Sequence, residues 1–126
     1  MKNKMRFLLL SLPFTFISCY QQERNCSDFK TGKFKFEQEI DGKTHTTIFE
    51  RTEELEIDTY EGKSDTSSIR WINDCEYIVQ KMNPKNMQEK KAVHMKILTT
   101  KGDSYTFEYS FVGDTNKQKG TVTKLN

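Results

Sequence analysis

Seven residues, Trp71 to Tyr77, gather the side chains most able to do chemistry in this 126-residue chain. The run Trp71-Ile72-Asn73-Asp74-Cys75-Glu76-Tyr77 holds the only tryptophan, one of three cysteines, two carboxylates and a phenol. Carboxylates do acid–base work when paired across a cleft, and a thiol becomes a nucleophile or metal ligand when a base or further ligands stand beside it. The two histidines offer little support for either. His45 lies among Thr44, Thr46 and Thr47, and His94 alternates away from the Val93/Met95 face, so neither shares a motif with a nucleophile. Glu53, Glu54, Glu56 and Asp58 form an acidic run, and alternation places Glu54, Glu56 and Asp58 together on a face that reads as solvated. Lys81, Lys85, Lys90 and Lys91 bracket one loop; they suit anionic headgroups or an acidic partner, with a solvated loop as the default. Two cysteines with two distant histidines lack zinc-ligand spacing. No catalytic residue, metal or cofactor is therefore assigned, and the expectation is a non-enzymatic protein.

The N-terminus says where the protein works. Met1–Arg6 is short and basic, Phe7–Ile17 is apolar, and Ser18-Cys19 follows. A membrane span needs roughly 20 apolar residues, so this shorter run reads as an export signal over residues 1–18. Phe16-Ile17-Ser18-Cys19 resembles a bacterial lipobox, which implies that Cys19 is lipidated and opens the mature chain; Phe16 stands where that pattern usually has leucine. Residues 19–28 then read as a polar tether and 29–126 as one domain. With Cys19 taken by lipid, Cys26 and Cys75 remain as a pair that an oxidising compartment would join; a reactive thiol or a metal site are the alternatives. Removing Lys2, Lys4 and Arg6 from the 20 basic residues leaves 17 against 18 acidic ones. Such a balance lacks the positive excess that phosphate neutralisation demands, so no nucleic-acid partner is expected.

The elements that must position these residues are strands. Apolar residues make up 34% of the chain, but nine Phe, five Tyr and one Trp recur at period two, which suits a sheet with one buried face. Phe34, Phe36 and Ile40 alternate with Lys33, Lys35, Glu37 and Glu39. Asp41-Gly42 then predicts a two-residue type I′ hairpin that sets Phe34 opposite Phe49 and Phe36 opposite Thr47. A strand over Glu54–Tyr60, with Leu55, Ile57 and Thr59 inward, precedes a turn cluster at Gly62-Lys63-Ser64-Asp65. A strand from about Ser67 runs into Trp71. An Asn73-Asp74 loop would set Trp71 opposite Glu76. A three-residue loop, Ile72 to Asp74 with Asp74 left-handed, is preferred because it sets Trp71 opposite Cys75 and Ile69 opposite Tyr77.

Asn83-Pro84 is a good helix start, so a short helix near 84–91 is plausible, with an open loop as the alternative. Val93, Met95 and Ile97 then face Phe111, Tyr109 and Phe107 across a three-residue Lys101-Gly102-Asp103 loop. A short strand over Thr121–Leu125 ends the chain. The expectation is an all-β fold: about eight short antiparallel strands in a meander, forming a small barrel or sandwich. The strand count and order resemble lipocalin-like and other small calycin-type barrels. Trp71, Tyr77, Phe107 and Tyr109 are candidates to line a ligand cavity or to fill the core.

Arg24-Asn25-Cys26, Asp28-Phe29-Lys30-Thr31-Gly32, Ile69–Tyr77, Tyr105-Thr106-Phe107-Glu108 and Gly120-Thr121 together resemble a group of small Bacteroidota lipoproteins of unknown function. Some similar short chains bear a "DNA topoisomerase IV" name. That activity needs a nucleophilic tyrosine with arginine and metal-binding acidic partners across large domains, and this short, exported, non-basic chain offers none of that apparatus. That lipoprotein group brings no activity with it; the leader and Cys19 lead to the expectation of a lipid-anchored protein of the cell envelope, in the outer membrane, that binds an envelope protein or small ligand. The alternative is a lipocalin-like carrier of a small hydrophobic ligand.

Overall fold

A computed structural model describes residues 24–126 of the protein. The expected export signal over residues 1–18, the expected lipidation site Cys19 and the first part of the expected tether lie outside the described residues. Eight strands follow one another around a closed barrel: β1 (Gly32–Ile40), β2 (Lys43–Arg51), β3 (Leu55–Tyr60), β4 (Lys63–Trp71), β5 (Glu76–Lys81), β6 (Val93–Lys101), β7 (Ser104–Phe111) and β8 (Gln118–Lys124). Every neighbour is antiparallel, and β8 returns to β1 through Phe34↔Lys124, Lys35↔Thr123 and Phe36↔Val122. Closure leaves no sheet edge.

Local chemistry sets most of the registers. Asp41 and Gly42 both have positive φ (53° and 76°), and β1 and β2 pair Phe34 with Phe49 and Phe36 with Thr47 as their sequence predicts. Glu61 and Gly62 make a second such turn (49° and 76°), so Lys63, Ser64 and Asp65 belong to β4 and not to a loop. Between β6 and β7 the predicted pairs Val93↔Phe111, Met95↔Tyr109 and Ile97↔Phe107 are present. An irregularity between Ile97 and Thr99 then absorbs one residue, and the strands are joined by Gly102-Asp103 alone.

Two loops differ from expectation. The β4–β5 pairing is Trp71↔Tyr77, Ile69↔Val79 and Ser67↔Lys81, so its connection is longer than three residues. Asn73 organises it: its Oδ1 accepts from the Cys75 N–H (2.9 Å), and the Ile72 and Asn73 N–H groups donate to the Glu76 carbonyl (3.0 and 3.4 Å). Asp74 does not take positive φ. The slip is by an even number of residues, so Trp71 and Tyr77 keep their common face. The predicted helix near 84–91 is also absent: those residues form turns. There the Glu89 carboxylate accepts from the Lys85 N–H (2.6 Å) and from Lys81 Nζ (3.0 Å), and Asn86 Oδ1 accepts from the Glu89 N–H (2.9 Å). Side chains thus satisfy backbone donors that a helix would otherwise hold.

One end of the barrel is closed by a short 3-10 helix, Cys26–Phe29, formed from residues that the sequence places mostly in the tether. Cys26 is disulfide-bonded to Cys75 with Cα atoms 5.3 Å apart. Phe29 is buried and meets Tyr105 edge-on (5.0 Å between centroids). Lys124 Nζ donates to the Asp28 carbonyl (2.6 Å), and the Asn25 N–H to Thr100 Oγ1 (2.8 Å). Above this plug, Phe34, Phe49, Ile97, Tyr105, Phe107 and Val122 form the core. Gly120 leaves room for it: a Cβ there would lie 2.8 Å from Phe107 Cζ and 2.9 Å from Phe36 Cε2, where those two rings meet edge to face.

Candidate functional site

The interior is not filled. A cavity of about 350 Å³ occupies the part of the barrel away from the plug, toward the end carrying the 41–42 and 61–62 turns and the long 82–92 loop. Alternation along the strands divides its wall in two. β1 and β5 to β8 contribute Phe36, Val79, Val93, Met95, Phe107, Tyr109 and Val122. β2 and β3 contribute Thr47, Phe49, Arg51, Glu56 and Asp58, and with them the charged groups that line it. The pocket is therefore amphipathic, with an apolar side and a charged side. Other hollows lie on the outer surface, such as that bounded by Lys91, Phe111 and Asp114.

The charged side corrects the sequence reading of β3. Glu56 and Asp58 face the interior, and Leu55, Ile57 and Thr59 face outward, with Ile57 exposed. A one-residue change of parity reverses every side chain of a strand, and here Arg51 selects the parity. Phe49 lies on the core face, so alternation carries Arg51 onto that face too, where it is 2% exposed. A guanidinium in that setting requires a counter-charge and acceptors for its donors. Register supplies Glu56 directly opposite it, and the 52–54 loop holds that register through Thr52 N–H to Leu55 O (2.8 Å) and Ile69 N–H to Glu54 O (2.8 Å).

Each nitrogen of the Arg51 guanidinium has a partner. Nη2 contacts Glu56 Oε1 (3.1 Å), Tyr77 Oη (2.8 Å) and Tyr105 Oη (3.1 Å); Nε points to Glu56 Oε1 (3.4 Å) and Nη1 donates to the Phe29 carbonyl (2.7 Å). The guanidinium carbon also lies 4.8 Å from the Phe34 and Tyr77 ring centroids and 5.3 Å from that of Phe49. Burial pushes the Tyr77 and Tyr105 phenols above their ordinary range, so both stay protonated. Burial opposes the charge on Arg51, but the Glu56 carboxylate and the two phenol oxygens that accept from Nη2 outweigh it, and the guanidinium stays charged. This constellation forms the floor of the cavity and ties β2, β3, β5, β7 and the plug to one group.

Asp58 differs from Glu56. Among the described residues it has no salt bridge and no side-chain hydrogen bond. Removal from water, with Glu56 and then Asp65 nearby, pushes its carboxyl up to about 7 against the pull of Arg51 and Lys81. Asp65, its cross-strand neighbour, is paired with Lys81 (2.9 Å), which also holds Glu89 (3.0 Å).

Of the residues singled out by sequence, Tyr77, Phe107 and Tyr109 line the cavity. Trp71 does not. It packs against Tyr77 (4.5 Å between centroids) under Lys30 Nζ (5.2 Å), and its indole Nε1 is buried without an acceptor among the described residues. His45 sits beside Tyr60 at the end of β2, with its Nδ1 at the phenol oxygen, and His94 Nε2 contacts Glu76 (3.0 Å); neither lines the cavity. Among the described residues, no group of three or more His, Cys, Asp or Glu side chains converges in a way that could hold a metal ion. The residues missed by sequence are Arg51, Glu56 and Asp58. The available signal was the Phe34↔Phe49 register, which by alternation alone places Arg51 inside. Comparison of the chain with protein-family models, curated proteins and solved structures gives no match.

Proposed function

We propose that this protein is a lipid-anchored envelope protein that holds a small amphiphile inside its barrel. The observation that carries the reading is the cavity of about 350 Å³, apolar on one side and charged on the other. Its volume lies at the lower end of the range of small-molecule pockets, roughly 300–1,000 Å³. The anchor rests on the leader and on Cys19. Cys26 lies seven positions after Cys19, a span of at most about 25 Å fully extended. Cys26 belongs to the plug, so lipidation would hold the closed end near the membrane and turn the mouth away from it. A second reading, a docking module for an envelope protein, draws on Ile40, Met82, Met87 and Val112, which are exposed around the mouth.

Two measurements test the proposal. The neutral dye N-phenyl-1-naphthylamine is expected to bind one per chain with enhanced emission, and Val93→Trp, which fills the cavity, to abolish the signal. Failure of the dye and of every amphiphile to bind the native protein defeats the cavity reading. Intact-mass analysis of membrane-extracted protein is expected to show acyl mass on a chain beginning at Cys19; an unmodified chain refutes the anchor.

A further inference from the structure

The charges inside the barrel specify what kind of head group the cavity accepts, given that the cavity binds an amphiphile as proposed above. A fatty-acid anion would need a free cation. Arg51, the only basic residue lining the cavity among the described residues, already has Glu56, two phenols and the Phe29 carbonyl as partners. Lys81, nearer the rim, is held between Asp65 and Glu89. The carboxylates are in excess: Glu56 is satisfied by Arg51, whereas Asp58 lines the same cavity with no salt bridge or side-chain hydrogen bond among the described residues. An incoming anion would meet one neutralised cation and an unpaired carboxylate. An incoming cation would meet that carboxylate, with aromatic faces on the opposite wall.

We infer that the cavity selects a cationic amphiphile, its apolar chain lying against Val93, Met95, Phe107 and Val122 and its amine or quaternary ammonium head pairing with Asp58. The groups that set the charge state of Asp58 are Glu56 on its own strand, Arg51 on β2, Asp65 on β4 and Lys81 on β5. Their sum, with burial, leaves Asp58 partly protonated near neutrality, so a cation bound there displaces a proton. Affinity for the cation then rises as pH passes upward through 7, while affinity for an uncharged amphiphile stays level.

The test is a head-group series at constant chain: decyltrimethylammonium, decanol and decanoate, each titrated into the native protein by calorimetry. The ammonium is expected to bind about tenfold or more tightly than decanoate, the scale of one close ion pair in a partly solvated site. Asp58→Asn is expected to remove most of that preference and Asp58→Glu to retain part of it, with circular dichroism confirming the barrel in both. Decanoate binding as tightly as the ammonium, or a preference that survives Asp58→Asn in the folded variant, overturns the inference. In either case the native protein still binds naphthylamine dye, and the cavity reading stands. Loss of dye and of all three amphiphiles overturns both.

Discussion

Arg51→Ala is expected to cost the barrel about 3–5 kcal/mol, the scale for stranding one partner of a buried ion pair. The side chain is 2% exposed and holds together groups far apart in sequence: Phe29, Glu56, Tyr77 and Tyr105. Truncation leaves Glu56, itself 7% exposed, without its counter-charge, and removes the donor to the Phe29 carbonyl. Arg51→Lys should also be costly, because one ammonium cannot reach acceptors on three sides in the way a planar fork does. The informative comparison is Arg51→Met with Glu56→Leu. That pair exchanges both charges for apolar volume, and such exchanges are often neutral or stabilising. The double variant should therefore be more stable than Arg51→Ala, with a coupling energy above about 1 kcal/mol in the double-mutant cycle. Urea denaturation followed by circular dichroism reads both quantities. A loss below about 1 kcal/mol for Arg51→Ala would mean that Arg51 is not the buried hub of the fold.

The same arginine explains which parts of the fold were legible in the sequence. Where a turn had defined chemistry, as at Asp41-Gly42, the register followed from the residues, and Phe34 met Phe49 as expected. Aromatic periodicity likewise set the β6–β7 pairs from Val93↔Phe111 to Ile97↔Phe107. Taken alone, β3 predicts the opposite face inward, because its own alternation, Leu55-Glu56-Ile57-Asp58, suggests burying the aliphatic residues. That inference treats a strand in isolation. The cost of an uncompensated guanidinium exceeds the roughly 1.5–3 kcal/mol gained by burying one aliphatic side chain, so the strand turns Glu56 inward and leaves Ile57 exposed. The β4–β5 loop departs from its expected register for a local reason: the Asn73 side chain, not a left-handed Asp74, satisfies its backbone. The candidate site was legible only in its aromatic half. Tyr77, Phe107 and Tyr109 announce themselves by alternation, whereas Arg51 and Asp58 become site residues only once two strands are placed in register.

Reduction of Cys26–Cys75 is expected to lower stability by about 4 kcal/mol, the chain-entropy value for a crosslink closing a loop of this length, with residues 49 apart in sequence. For a domain whose total stability is of order 5–15 kcal/mol, that is a large fraction. The loss should not be uniform over the molecule. The disulfide anchors a single four-residue 3-10 helix to the β4–β5 loop, and that helix delivers Phe29 and its carbonyl to the barrel floor. Without the crosslink the plug is held by Arg51 to Phe29 O, Lys124 to Asp28 O and the Asn25 N–H to Thr100, together with the packing of Phe29 on Tyr105. Opening of the closed end should then become the lowest-energy excursion, visible as accelerated hydrogen exchange in residues 26–35 and in β8 before global unfolding. Because Arg51 uses the carbonyl that the plug presents, Arg51→Ala combined with Cys26→Ser/Cys75→Ser should cost less than the separate losses added together. Urea midpoints with and without reductant measure the first effect, and exchange mass spectrometry the second. An unchanged midpoint on full reduction would show that packing of Phe29 and the Arg51 contacts close the barrel without the disulfide.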